Sequence, residues 1–139
     1  TFFRDVTAMG GFAASLLLTL LFISSPLLVP LIAGSILTAA IVIVIRLFYF
    51  KPRPKKKDYS GLLEKIDASS FPSLHSARIV FLALIFSVHF ADIYLTILCT
   101  IVAALVSYSR IYLRKHYLID VVGGIVVGAV AYFTVIKLF

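Results

Sequence analysis

Arg46, Arg53, Ser73, His75, Ser109, Arg110, His116 and Asp120 make up the reactive chemistry of this 139-residue chain, and they fall in three stretches. Arg46 is followed seven positions later by Arg53 and Pro54; Pro72-Ser73-Leu74-His75 comes next; Ser109-Arg110 then precedes His116 and Asp120. Three planar guanidinium forks suit phosphate oxygens, and an excess of fixed positive charge suits a phosphoryl group whose charge is spread over its oxygens. Ser73 after Pro72 is placed as a helix N-cap, so the backbone N–H groups that follow and the positive helix end point at the same anion. His75 lies at that helix start. His116 and Asp120, spaced i, i+4, lie about 40° apart on one helical face. The spacing predicts a hydrogen bond from one ring nitrogen to the carboxylate, which fixes the tautomer and leaves the other nitrogen free as a nucleophile. Any one of the arginines alone reads as an interfacial anchor. The three together, with an ionisable Asp120 inside an apolar segment, read as a site.

The elements that hold these residues are membrane helices. Hydrophobic residues make up 62% of the chain and the mean hydropathy is +1.11, too apolar for a soluble core under a polar surface. A crossing takes about 20 apolar residues. Five hydrophobic segments are drawn at Thr7 to Ser25, Leu27 to Tyr49, Ser76 to Ala91, Ile93 to Tyr112 and Tyr117 to Phe139. Without strand-like alternation they must be helices, because lipid offers no partners for backbone N–H and C=O groups. The expected fold is an all-α, polytopic transmembrane bundle forming a single domain over residues 1–139. The start at Thr1, without Met, leaves room for a sixth, N-terminal crossing. Ser24-Ser25-Pro26 turns the first two segments into a hairpin, and Gly124 and Gly128 suit close helix approach. The one long polar stretch, Lys51 to Ser73, opens with KPRPKKKD, whose prolines stop a helix and whose charges stay out of hydrocarbon.

Counting crossings brings the three polar stretches together. If the second segment ends on one face, the long loop and the start of the third segment share that face. The third and fourth segments cross away and back, so the turn from Arg110 to His116 returns to it.

Other readings of the composition fall away. The 13 Lys+Arg against six Asp+Glu sit in loops and at segment ends, not along one basic face, so the expected partners are a lipid phosphate and the membrane, with no nucleic acid. Lone Cys99 supports no disulfide framework. His89 lies at the far end of the third segment and reads as structural, and Lys55-Lys56-Lys57 reads as headgroup attraction. No Cys/His/carboxylate set has metal-ligand spacing, so no metal and no cofactor is expected. Neither a G-x-x-x-x-G-K-[ST] loop nor a G-x-S-x-G elbow is present.

From Arg46 onward the chain resembles the type-2 phosphatidic acid phosphatase superfamily, the membrane lipid phosphate phosphatases related to vanadium haloperoxidases. The family's pattern is Lys-x6-Arg-Pro, Pro-Ser-Gly-His and Ser-Arg-x5-His-x3-Asp. The third motif matches fully from Ser109 to Asp120. The first has Arg46 for Lys, and the second has Leu74 for Gly. The resemblance implies that His116 attacks phosphorus, Asp120 orients it and His75 protonates the leaving oxygen, while Arg46, Arg53, Ser73, Leu74 through its backbone N–H, Ser109 and Arg110 bind the phosphate. Leu74 adds an isobutyl group that crowds the anion unless it points away.

The leading expectation is a metal-independent phosphatase acting on a polyprenyl diphosphate or a glycerolipid phosphate such as phosphatidate or phosphatidylglycerophosphate. The alternatives are a phosphotransferase with a lipid acceptor and a non-catalytic, transporter-like lipid binder. All make the chain a multi-pass protein of the cell membrane. Twelve of the 13 Lys+Arg, all but Lys137, share the face of the site, which by the positive-inside rule is cytoplasmic. The resemblance implies the opposite face.

Overall fold

The computed structural model describes residues 1–139 and is all-helical. The helices are α1 (Phe2–Met9), α2 (Phe12–Leu21), α3 (Leu28–Phe48), α4 (Leu62–Ala68), α5 (Leu74–Phe90), α6 (Ile93–Tyr112) and α7 (Leu118–Leu138). Their ends follow from local chemistry. Tyr49 leaves α3 in extended geometry ahead of Pro52. The Ser73 hydroxyl caps α5 by accepting from Ser76 N, and Asp92 caps α6 by accepting from Leu95 N at 2.7 Å. Ala91, in the left-handed region at φ 49°, closes α5 and turns the chain straight into α6. Asp120 Oδ2 accepts from Tyr117 N at 2.7 Å and closes the first turn of α7.

Helix α5 is the central element, packed against α3, α6 and α7. Phe81, Leu82, Ile85 and Phe86 of α5 meet Leu27 and Leu31 around the start of α3 and Ala131, Tyr132 and Val135 of α7 in the main core. The outer surface is also apolar: Leu17, Ile36, Leu98, Val126 and Phe133 are all exposed. That pattern suits a lipid solvent.

By length and composition, α3, α6 and α7 are able to cross a membrane, and α1 with α2 make a fourth crossing if the bent pair counts as one. Two of the five expected segments therefore differ from expectation. The first is not one helix: it breaks at Gly10-Gly11 with a 50° bend. A Cβ on Gly10 would lie 2.7 Å from Val106 Cγ1 and 3.3 Å from the His75 carbonyl, so any larger residue would have to displace Val106 to dock there. The other is α5, whose 17 residues rise about 25 Å, short of the roughly 30 Å hydrocarbon core. The long polar loop contains the short helix α4.

Close approach of α5 and α7 depends on small residues. A Cβ on Gly124 would fall 2.4 Å from Ser73 O, and one on Gly128 would fall 2.3 Å from Ala77 O and 3.1 Å from Phe81 N. Those obstacles are backbone and cannot rotate away, so the helices would have to separate. Gly128→Ala should therefore lower stability by about 1–3 kcal/mol. Gly61→Ala, where a Cβ meets nothing, should stay within about 0.5 kcal/mol of the parent. Thermal unfolding of the two variants in detergent checks the contrast.

Candidate active site

The three polar stretches meet at one end of the bundle, as the crossing count requires. Arg46, in the last turn of α3, donates from Nη2 to Pro72 O at 2.8 Å and from Nη1 to Ile66 O at 3.2 Å, tying α3 to the residues just before α5. Ser73 N donates to Asp120 O at 2.9 Å, joining the starts of α5 and α7. Arg53 reaches back along its loop to the Asp67 carbonyl. Arg110 Nη1 donates to Thr7 Oγ1 at 2.8 Å, which brings α1 into the site. Arg46, Ser73, Ser109, Arg110, His116 and Asp120 are all buried; Arg53, Leu74 and His75 are partly exposed.

Each arginine of the cluster leaves its Nε donor unused. The Nε atoms of Arg46, Arg53 and Arg110 are buried and donate to no protein acceptor. A buried unpaired donor costs about 1–3 kcal/mol, more on a charged group. Three such donors, gathered at one end of the bundle, lack acceptor oxygens, which the protein itself does not supply. The start of α5 faces the same region, and Ser73 Oγ, which accepts from Ser76 N at 3.4 Å and Ser76 Oγ at 3.0 Å, still has its own proton to give. The Leu74 side chain is engaged elsewhere. It packs against the seam of Val42, Ala77 and Val127, leaving the backbone N–H at the helix start. Ser109, by contrast, gives its hydroxyl proton to Val106 O at 2.6 Å within its own helix.

His116, on the turn between α6 and α7, is held differently from expectation. Its Nδ1 lies 2.7 Å from Ser70 O. A carbonyl only accepts, so Nδ1 carries the proton and Nε2 keeps its lone pair. Asp120 Oδ2 is 3.9 Å from Nδ1, beyond hydrogen-bonding reach. The expected hydrogen bond from His116 to Asp120 is thus replaced by one to a backbone carbonyl. Asp120 is occupied elsewhere: Oδ2 takes the Tyr117 N–H, and Oδ1 takes Lys51 Nζ at 2.6 Å. Lys51 also stands 4.7 Å over the Tyr117 ring. Neither Lys51 nor Ser70 stands out in the sequence. Lys51 is one of several loop lysines, and a backbone carbonyl has no residue signature.

The model of the PAP2 superfamily matches residues 27–139. Among solved structures, the chain is similar to Aquifex aeolicus LpxE, with a TM-score of 0.83 and 25% identity over 98% of this chain and 84% of that one. It is also similar to the first transmembrane PAP2 type phosphatidylglycerolphosphate phosphatase from Bacillus subtilis, with a TM-score of 0.76 and 21% identity over 99% of this chain and 74% of that one. No curated protein sequence matches.

Burial, reinforced by the positive charges of Arg110 and Arg53 and opposed by the Ser70 carbonyl, holds His116 down at about 2. The folded ring therefore stays neutral while an unfolded one protonates below about pH 6.5. The unfolded state then binds the extra proton, so stability falls as pH drops below that value and is unaffected at His116 above it. Thermal midpoints in detergent should decline from about pH 7 to pH 5, and His116→Gln should flatten that decline.

Proposed function

The chain belongs to the PAP2 superfamily, and on that footing we propose that it is a membrane lipid phosphatase that hydrolyses a phosphomonoester or diphosphate through a phosphohistidine on His116. The observation that carries this reading is the set of three buried, unpartnered Nε donors on Arg46, Arg53 and Arg110 beside a histidine whose Nε2 is free. Guanidiniums already supply the charge neutralisation that a divalent metal would otherwise bring, so the reaction needs no metal.

In the proposed reaction His116 Nε2 attacks phosphorus as the bond to the leaving oxygen breaks, and His75 gives that oxygen a proton. Water, giving its proton to His75, then attacks phosphorus and breaks the P–N bond. Inorganic phosphate leaves and both histidines are restored. Arg46, Arg53 and Arg110, with the Leu74 N–H and the Ser73 hydroxyl, hold the phosphoryl oxygens. Ser109 contributes by proximity, its proton being committed to Val106.

The lipid tail has a place to lie. A wholly apolar groove of about 590 Å³ runs between α2, α5 and α6, from Met9, Ile79 and Val102 to Phe22 and Phe90. Ile79 is one helical turn beyond His75 on the same face of α5, so the groove begins beside the proposed acid. Leu74, turned into its seam, leaves the phosphate surface open, and nothing about that substitution calls for a lipid acceptor in place of water.

Purified protein should release inorganic phosphate without added divalent metal and be inhibited by vanadate, which imitates the five-coordinate phosphorus. His116→Ala should lose more than about a thousandfold in turnover. Undiminished turnover in that variant would rule the mechanism out. Phosphate release compared across a polyprenyl diphosphate, phosphatidate and phosphatidylglycerophosphate identifies the substrate, and release that requires an acceptor lipid would favour the transferase.

A further inference from the structure

Arg78 is a fourth guanidinium, outside the three motifs. It follows His75 at i, i+3 on α5, so the two side chains leave neighbouring parts of one helix face about 4.5 Å apart along the axis. Only 6% of its surface is exposed, in an apolar helix where a charge is costly and by default marks a functional group with a partner. The chain does not supply that partner. Asp120 is taken by Lys51, and Asp67 by Lys57 and Arg53, so Arg78 has no carboxylate beside it. What it does meet is the Phe12 ring, 5.9 Å from Cζ, a contact that holds the guanidinium in place without neutralising it.

The segment that covers Arg78 shows where it stands. Around the break between α1 and α2, three residues meet three polar groups in turn: Thr7 accepts from Arg110, Gly10 lies against His75, and Phe12 lies over Arg78. Arg110, His75 and Arg78 therefore form a row running inward from the polar end of the bundle. Met9, from the covering segment, and Ile79, next to Arg78, open the apolar groove. Arg78 thus stands between the proposed acid and the proposed tail groove, where the group joining a phosphoryl to its tail must lie.

We propose that Arg78 binds the lipid-proximal phosphate of a lipid diphosphate and so makes the site select diphosphates over monophosphates. This rests on the phosphatase reading above and names the substrate class of that same site. With such a substrate, His116 Nε2 bonds to the terminal phosphorus as the bond to the bridging oxygen breaks. That oxygen leaves on the second phosphate and takes the His75 proton, so the product is a lipid monophosphate. The second phosphorus is one bond from the oxygen that His75 serves, and Arg78 is one turn from His75. In a phosphomonoester the leaving oxygen is bonded to carbon, and the same place holds a methylene that leaves a buried guanidinium unpaired. A phosphate there fills its donors and brings a cation to the charge that develops on the leaving group. In phosphatidylglycerophosphate the second phosphate lies a glycerol unit further off, among the apolar side chains of the groove.

The test compares kcat/KM for a polyprenyl diphosphate and the polyprenyl monophosphate of the same tail, with phosphatidylglycerophosphate as a third substrate, in the parent chain, Arg78→Met and Arg78→Lys. The parent should favour the diphosphate over the monophosphate by about tenfold or more and leave the lipid monophosphate as product. Arg78→Met should lose about thirtyfold on the diphosphate and about tenfold less than that on the monophosphate, while Arg78→Lys keeps most of the preference. A residue that merely packed on Phe12 would lower every substrate alike through the fraction folded. An unchanged ratio in Arg78→Met therefore overturns the proposal. So does a parent that prefers the monophosphate, or a loss confined to phosphatidylglycerophosphate, which would assign Arg78 to a more distant phosphate. Inhibition gives a second measurement: pyrophosphate should compete more tightly than inorganic phosphate in the parent and lose that advantage in Arg78→Met, and equal competition in the parent counts against the subsite. All these outcomes leave the phosphatase reading standing. No phosphate release from any of the three lipids, or full turnover in His116→Ala, removes that reading and the proposal with it.

Discussion

The backbone hydrogen bond from Ser73 N to Asp120 O, 2.9 Å long, is the joint on which the rest of the site depends. It fastens the start of α5 to the start of α7, and it forms only because the chain can approach so closely there. One turn further along α7, Gly124 lies where a Cβ would be 2.4 Å from Ser73 O, and Gly128 repeats the arrangement one turn deeper, against Ala77 O. A joint made of main-chain atoms leaves the side chains of both helix starts free. Ser73 can then cap α5, Leu74 can turn into the apolar seam, and His75 stays at the helix start while His116 arrives from the turn before α7. Arg46 completes the arrangement by gripping Pro72 O, the residue just before the joint, from α3.

Charge is the cost of this arrangement. Burying three guanidiniums close together at one end of an apolar bundle is unfavourable twice over, through lost hydration and mutual repulsion. The protein offsets part of it with carbonyl and hydroxyl oxygens: Ile66, Pro72, Asp67 and Thr7 each take an arginine N–H. These oxygens are neutral, the Asp67 carboxylate 4.0 Å from Arg53 Nη2 offsets only part of one charge, and the three Nε donors stay unpaired. The fully buried carboxylate nearby is Asp120, and its closest cation is Lys51. The resting site is therefore strongly cationic, a state that the phosphate of the proposed substrate would relieve. Binding and folding pull in opposite directions here, as is common where function requires preorganised charge.

Much of this was legible in the sequence, and what was not has physical reasons. The segment from Ile93 to Tyr112 matches α6 at both ends, and those ending at Tyr49 and Phe139 match α3 and α7 within a residue, because Pro, Asp and charged turns punctuate long apolar runs. Convergence of the polar stretches followed from counting crossings and needed no structure. The break at Gly10-Gly11 was hidden because glycine in an apolar run signals several things, and the partner that decides among them, the His75 backbone with Val106, is distant in sequence. The i, i+4 spacing of His116 and Asp120 put them near each other, but helical geometry alone could not say that a lysine 69 positions away would claim the carboxylate. A spacing argument ranks local partners only. The competitor came from a loop.

Position 46 shows how a change of residue can redistribute work within a site. Where the resembling family pattern has lysine, Arg46 uses both terminal nitrogens on backbone carbonyls 20 and 26 residues away and still keeps Nε unpaired. A lysine carries all its donors on one atom and could not span Ile66 O and Pro72 O while also facing a ligand from a second nitrogen. The arginine is thus both a strut between α3 and the end of the α4 loop and a charge of the site. With that strut in place, the stretch from Ile66 to Pro72 is held from one side by Arg46 and from the other by the pairing of Lys51 and Pro52 with Ser69 and Ser70. Ser70 lies between the two grips. That is why its carbonyl can serve as a fixed acceptor for His116, a duty that an unanchored loop carbonyl could not perform.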